Sequence, residues 1–328
     1  MNIDLNLVCK NEPKYRISQI KTAVFKNLIS DWSEAKNLPL SLRKKLEKQF
    51  PLTIKAKTFV SRNKKTIKIL ITLKDGLNIE SVLMRHKDGR NTVCVSSQVG
   101  CALACKFCAT GKMGFKRNLE PKEIVDQALF FSRLLKKENA RITNIVFMGM
   151  GEPFLNYENV IKAIRILNDK DGFNLGQRRF SISTSGIIEG IKKLSREKLE
   201  VNLAISLHAP NDQLRLGLMP INRKYPLAKV LGAVDDYIDK THRKVMFEYL
   251  MIKGVNDTKD CARQLVCLMK KKLYLVNLIS YNPTGIFIPS PTAQIEKFKA
   301  ALEKEGVKVT RRYRFGQGIK AGCGQLAS

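Results

Sequence analysis

TVCVSSQVGCALACKFCATG, residues 92–111, opens as a strand and breaks into a loop of cysteines. The β-branched alternation of TVCVSSQ predicts a strand over 92–98. Cys101, Cys105 and Cys108 follow in C-x3-C-x2-C spacing, bracketed by Gly100 and Gly111. Three thiolates this close wrap one compact centre. A [4Fe–4S] cluster normally takes four cysteines, so three local ones leave one iron open to another ligand. A structural zinc site wants four protein ligands, and Cys94 or Cys323 offers a fourth. With 59 Lys and Arg against 29 Asp and Glu, a zinc-stabilised, non-catalytic RNA-binding protein stands as the alternative from another class. Packing cysteines are disfavoured, because the loop is rich in Gly, Lys and Thr and has no apolar period.

Outward from this loop the chain alternates strand and helix. NIVFMGM, RFSISTS, VNLAISLH, KVMFEYLM and LYLVNLIS read as further strands. Helical patterns such as PKEIVDQALFFSRLLKK, YENVIKAIRILN and TAQIEKFKAALEKE stand between or after them. Six βα units predict an α/β fold, an open partial (β/α)6 barrel, with Rossmann-like winding left open because periodicity does not decide closure. In either architecture, functional residues gather where parallel strands end. Those ends carry GMGEP (149–153), STSG (183–186), SLHAP (206–210) and YNP (281–283). The expected divisions are a basic helical RNA-binding module over 1–55, a β linker over 56–90, the barrel over 91–315, and a mobile C-terminal segment over 316–328.

Fifty-nine Lys and Arg against 29 Asp and Glu leave a net charge of +30, which points to a polyanionic partner. Candidate phosphate contacts are Lys44, Lys45, Arg117, Arg178, Arg179, Arg311, Arg312 and Arg314. No apolar run approaches the roughly 20 residues that span a bilayer. The start lacks a signal-peptide core, so a cytoplasmic protein with no membrane partner is expected. Eight cysteines in 328 residues are too few and too clustered for a disulfide scaffold. Cys9, Cys261 and Cys267 match no functional pattern and read as structural.

The triad, with Phe107 before its last cysteine, resembles the radical S-adenosylmethionine superfamily. TVCVSSQVGCALACKFCATGKMGFKRNL, NIVFMGMGEPFLN, SISTSGI, LAISLHAPND, LMPINRKYPL, FEYLMIKGVND, VNLISYNP and the terminal AGCGQL together resemble its RlmN-type branch, the adenine-carbon-2 RNA methyltransferases. The resemblance covers about residues 15–326. It implies a radical SAM partial barrel, a [4Fe–4S] cluster on Cys101, Cys105 and Cys108, and S-adenosylmethionine against Gly151, Glu152, Ser183, Ser206, Leu207, His208 and Asn282. It further implies that Cys323 is methylated by one S-adenosylmethionine and that a radical from a second activates that methyl group. The resulting methylene adds to adenine. Glu80 then accepts the proton, and Cys94 releases the product by forming a disulfide with Cys323.

Radical chemistry suits this target, since the carbon between two ring nitrogens is electron-poor and its C–H is not acidic. The cofactor supplies the hard step and the protein orients it. The implied partners are the peptidyl-transferase region of 23S rRNA, the adenosine just 3′ of some tRNA anticodons, and an electron donor such as flavodoxin or ferredoxin. A monomer is expected. The sister Cfr-type enzymes, which methylate carbon 8, are the near alternative. RRYRFGQGIKAGCGQL carries an Arg-x-x-Phe-Gly lead-in of that type, and Lys320 and Gly322 replace the usual Asp and Ala near the cysteine.

Overall fold

The antiparallel lead-in comprises β1 (Ala56–Val60), β2 (Thr66–Thr72) and β3 (Asn78–Arg85). β4 (Asn91–Cys94) pairs antiparallel with β3. β5 (Gln98–Gly100) and β6 (Phe115–Asn118) form a small hairpin that brackets the cysteine loop. The parallel region continues through β7 (Asn144–Phe147), β8 (Phe180–Thr184), β9 (Asn202–Ser206), β10 (Val245–Met251), β11 (Tyr274–Ser280) and β12 (Val309–Arg311). The computed structural model describes residues 12–269, 271–316 and 318–327; Cys9 lies outside them.

One ten-stranded sheet runs β1-β2-β3-β4-β7-β8-β9-β10-β11-β12. From β4 onward the neighbours are parallel and sequential. Sequential order without a reversal excludes the doubly wound alternative, which needs a topological switch point. Six strands, β4 and β7 to β11, are each followed by a helix, which gives the open (β/α)6 barrel. β12 adds a short seventh strand that the sequence reading did not foresee.

The expected strand over 92–98 divides after Cys94, and a side chain is the cause. Gln127, buried in the helix Pro121–Lys136, accepts from Ser96 N at 2.8 Å and donates to Ser96 O at 3.0 Å. The backbone groups that a ladder would pair are thus satisfied from the helix, and the chain is free to turn.

The parallel strands carry large apolar residues at every second position, as with Phe247, Tyr249 and Met251 on β10. Period two puts these against the outer helices and leaves the intervening positions for the barrel interior. The helix Pro121–Lys136 answers with Ile124, Val125, Ala128, Leu129, Phe131 and Leu135 at helical spacing. Each large apolar side chain among them contributes roughly 1.5–3 kcal/mol on burial, and Ala128 less. Pro121 at the first helical position and the Glu120/Glu123 capping box fix where it starts.

The N-terminal helices Tyr15–Lys21 and Leu40–Gln49 close around Trp32, whose indole N–H donates to Phe50 O at 2.8 Å. Their apolar residues join the same core as the barrel. Arg133 of the barrel helix donates to Ile29 O at 2.6 Å and Leu52 O at 3.0 Å, and Lys21 pairs with Asp169 at 2.6 Å. β1 to β3 likewise form one sheet with the barrel strands.

Candidate active site

The barrel interior is polar where the strands end. Ser183 Oγ donates to Glu248 Oε2 at 2.5 Å, with Ser206 Oγ 3.5 Å from Ser183 Oγ. These side chains meet because β8, β9 and β10 are neighbours and Ser206 stands opposite Glu248 in register. Arg312, just beyond β12, reaches Glu248 Oε1 at 3.3 Å and Met148 Sδ at 3.4 Å. Charge on Cys323 first, and on Glu248 less strongly, pushes the guanidinium up against the opposing effect of burial. Arg312 therefore belongs to the cavity wall, not to an outer phosphate-binding surface.

The cysteine loop lies over this mouth. Cys101, Cys105 and Cys108 line one cavity with Gly149, Gly151, Glu152, Ser183, Ser206, His208, Glu248, Arg312 and Cys323. Burial pushes the Cys101 thiol up to about 12 and the Cys105 thiol well above its ordinary range. Ionising them requires a cation at the site. Among the described residues, no three His, Cys, Asp or Glu side chains converge on a point where an ion would sit. The thiols share a cavity without forming a closed set.

Gly151 has a φ of +96°, and a Cβ there would lie 2.5 Å from Gln98 Cβ, so only glycine fits this turn. Glu152 is buried, which raises its carboxyl pKa. Its oxygens accept from Phe154 N at 3.0 Å and Ser185 N at 2.8 Å. Burial, aided by the charge of Arg215, lowers His208 to about 3, so the ring is neutral at physiological pH. Its Nδ1 accepts from Leu250 N at 3.2 Å, and Phe107 of the cysteine loop packs edge-on at 4.9 Å.

The C-terminal segment is bound down along its length. Gly316 N donates to Thr66 Oγ1 at 3.1 Å, and Asn282 Nδ2 donates to Cys323 O at 3.2 Å. Ala109 N donates to Gly324 O at 2.7 Å, and Thr110 Oγ1 to Leu326 O at 2.6 Å, so the tail is fastened to the turn after Cys108. Ala327 N donates to Glu80 Oε2 at 2.9 Å. Cys323 lines the cysteine cavity and also an adjoining one with Cys94, Met148, Asn282 and Arg312.

Gly151, Glu152, Ser183, Ser206, His208 and Cys323 thus share the cavity of the three cysteines. Cys94 and Asn282 line the adjoining one, and burial first, then the neighbouring Cys323, pushes the Cys94 thiol up to about 12. Leu207 is fully buried and does not line the cysteine cavity. Glu80 lines neither; it forms a buried ion pair with Lys68 at 2.7 Å. Cys94 and Cys323 are free thiols, so no disulfide joins them in this state. Cys261 is buried in the helix Lys259–Leu268, whereas Cys267 is exposed on it.

Several candidate RNA contacts are already in ion pairs: Arg117 with Asp75 and Glu123, Arg178 with Glu200, and Arg311 with Glu296. Lys44, Lys45, Arg179 and Arg314 are exposed. Sequence reasoning missed Glu248 and Lys68. A lone acid inside the apolar run KVMFEYLM was the available sign of the first. Among the described residues, no helix is long and apolar enough to cross a membrane.

The profile of the Radical SAM superfamily matches residues 95–263. The probable dual-specificity RNA methyltransferase RlmN of Dictyoglomus thermophilum is 48% identical over 317 residues, 96% of this chain and 91% of that one. The chain belongs to the RlmN-type radical SAM methyltransferases. The like-named protein of Geobacillus kaustophilus is 46% identical over 98% of this chain and 88% of its own length. A crystal structure of a radical SAM methyltransferase from Sphaerobacter thermophilus superposes with a TM-score of 0.95 at 43% identity, covering 99% of this chain and 96% of that one.

Membership in this family implies a [4Fe–4S] cluster and S-adenosylmethionine. The residues present fit that pair. Two of the three thiols are held in surroundings where only a bound cation favours ionisation, and the same cavity offers Gly151 for close backbone approach and polar side chains for an amino acid and a ribose.

Proposed function

We propose that this RlmN-type enzyme methylates carbon 2 of adenosine in 23S rRNA and in tRNA beside the anticodon, using a methyl group carried on Cys323. The observation that carries the reading is that Cys323 lines two cavities at once, the one with the cysteine loop and the one with Cys94. A thiol so sited is open to a methyl donor on one side and to a resolving thiol on the other. The term dual-specificity in the relatives' names supports more than one kind of target. The +30 charge supports RNA.

In this reading Cys101, Cys105 and Cys108 hold the cluster, and Gly151, Glu152, Ser183, Ser206, His208 and Asn282 position S-adenosylmethionine, whereas Leu207, buried away from the cavity, has no part in it. When bound, these groups supply a methyl cation equivalent for Cys323 and a radical that removes hydrogen from the resulting S-methyl group. Cys323 carries the one-carbon unit to the base, and Glu80 takes the proton leaving carbon 2. Cys94 then attacks Cys323 Sγ as a thiolate, the sulfur–carbon bond breaks with its electron pair going to the transferred carbon, which takes a proton to become the methyl group, and the resulting disulfide is reduced by a thiol reductant. Glu80 becomes accessible only when Ala327 lets go, so the tail must move during turnover. Extruding the target base costs a few kcal/mol, which favours loop or single-stranded RNA.

The test is nucleoside mass spectrometry on rRNA and tRNA from a host lacking its own enzyme and expressing this chain or its Cys323→Ala form. 2-Methyladenosine is expected with the intact chain alone. 8-Methyladenosine, or neither product, overturns the assignment. Cys94→Ala should trap a covalent protein–RNA adduct, and normal turnover by that variant refutes its resolving role.

A further inference from the structure

Arg215 is 0% exposed, and among the described residues none of its hydrogen bonds goes to a carboxylate. Its guanidinium instead donates to five neutral acceptors. Nε reaches Leu207 O at 3.2 Å, Nη1 reaches Asn222 Oδ1 at 2.8 Å and Tyr225 O at 3.4 Å, and Nη2 reaches Ser185 O at 2.7 Å and Ser206 O at 3.1 Å. Asp212 is in the same helix, but its Oδ1 is taken by Asn222 Nδ2 and Leu227 N, each at 2.8 Å. A buried charge with dipoles around it and no counter-ion is costly to keep.

The same helix, Asp212–Leu218, is bonded to the cysteine loop: Lys106 N donates to Leu218 O at 3.0 Å. Leu218 and Met219 share a small apolar cluster with Leu103 and Cys105. Burial lowers Arg215 to about 10. The guanidinium therefore touches the segments just after β8 and β9, while its helix touches the loop of the three thiols.

We propose that Arg215 is a positioning residue that ties the ends of β8 and β9 to the cysteine loop and supplies a fixed positive charge to the cluster site. The proposal rests on the reading that Cys101, Cys105 and Cys108 hold the cluster. Three thiolates make such a centre net negative, and reduction adds a further negative charge. A buried cation, unscreened by water, favours the reduced form. The five hydrogen bonds also fix the spacing between the thiols and the residues around Ser185 and Ser206 that line the same cavity.

Two variants of the anaerobically loaded enzyme test this, Arg215→Met and Arg215→Lys. Iron and sulfide content, the midpoint potential from an EPR-monitored titration, and the dissociation constant for S-adenosylmethionine are the readouts. Arg215→Met should shift the one-electron equilibrium at least tenfold toward the oxidised form, about 59 mV more negative, and weaken S-adenosylmethionine binding at least fivefold. Arg215→Lys keeps the charge but lacks the planar fork that reaches all five acceptors. It should therefore hold the wild-type potential and still lose affinity fivefold. An Arg215→Met protein that loads iron with unchanged potential overturns the proposal. If that variant does not fold, Arg215→Lys decides: wild-type affinity, or a changed potential, refutes it. A wild-type protein without a cluster, or Cys105→Ala with full iron, instead sinks the three-cysteine reading.

Discussion

Replacing Lys68 by Met should destabilise the protein far more than the loss of one lysine on a strand suggests. Lys68 on β2 and Glu80 on β3 form an ion pair at 2.7 Å with side chains 10% and 5% exposed. Removing the cation leaves a carboxylate buried without its counter-charge, and breaking a buried pair from one side costs about 3–5 kcal/mol. At about 2 °C per kcal/mol for a chain of this size, the melting temperature should fall by about 6–10 °C. The double variant Lys68→Met/Glu80→Gln removes the stranded charge and keeps the acceptor for Ala327 N, so it should recover most of the loss. Thermal unfolding of the loaded proteins, followed by circular dichroism at one scan rate, measures both. A fall under 2 °C for the single variant, or a double variant no more stable than the single one, refutes this account of the pair.

His208 gives a pH dependence. Its folded pKa of about 3 lies below the unfolded value near 6.5, so the unfolded chain binds the extra proton. Its stabilising contribution is complete above pH 6.5 and shrinks as pH falls toward 3. Between pH 6.5 and 5 the wild type should lose about 1.6 kcal/mol that His208→Gln does not, read from denaturant midpoints; parallel curves would sink this. Gly149→Ala puts a Cβ 2.7 Å from Val95 O and 2.8 Å from Ser96 N, backbone atoms with no room to retreat. It should cost about 1–3 kcal/mol in the same assay, and a neutral result contradicts the packing. Gly322→Ala brings a Cβ 2.6 Å from the Asn282 side chain that holds Cys323 O. Losing that hydrogen bond, about 1 kcal/mol, should reduce turnover roughly fivefold with iron content unchanged.

The six barrel strands were legible because strands buried on both faces read as apolar runs, and their spacing by helical patterns left little freedom. The cysteine loop was legible for a different reason: thiols in short register carry chemistry whatever surrounds them. β12 was not, since its three residues, Val309 to Arg311, are too few to show a period. The early end of β4 depends on Gln127, 31 residues downstream of Ser96, and no local pattern reports such a contact. Glu80 is named by resemblance alone, and nothing around it in the sequence shows that it joins Lys68 to the C-terminal tail. The tail's docking was equally hidden, because it runs largely through backbone groups of Gly316, Cys323, Gly324 and Leu326, which no side-chain pattern reports.

A barrel that stays open keeps two bare edges, and unpaired edges invite strand-to-strand aggregation. Here each edge is blunted. β12 offers only three residues, and Arg311 on it is engaged by Glu296. β1 presents Lys57, whose ammonium lies 5.5 Å from the centre of the Phe59 ring, with Lys68 on the same ring at 5.3 Å. Charge held over the one large aromatic of that edge makes it a poor template for a second copy. The sheet can therefore remain unclosed without becoming sticky.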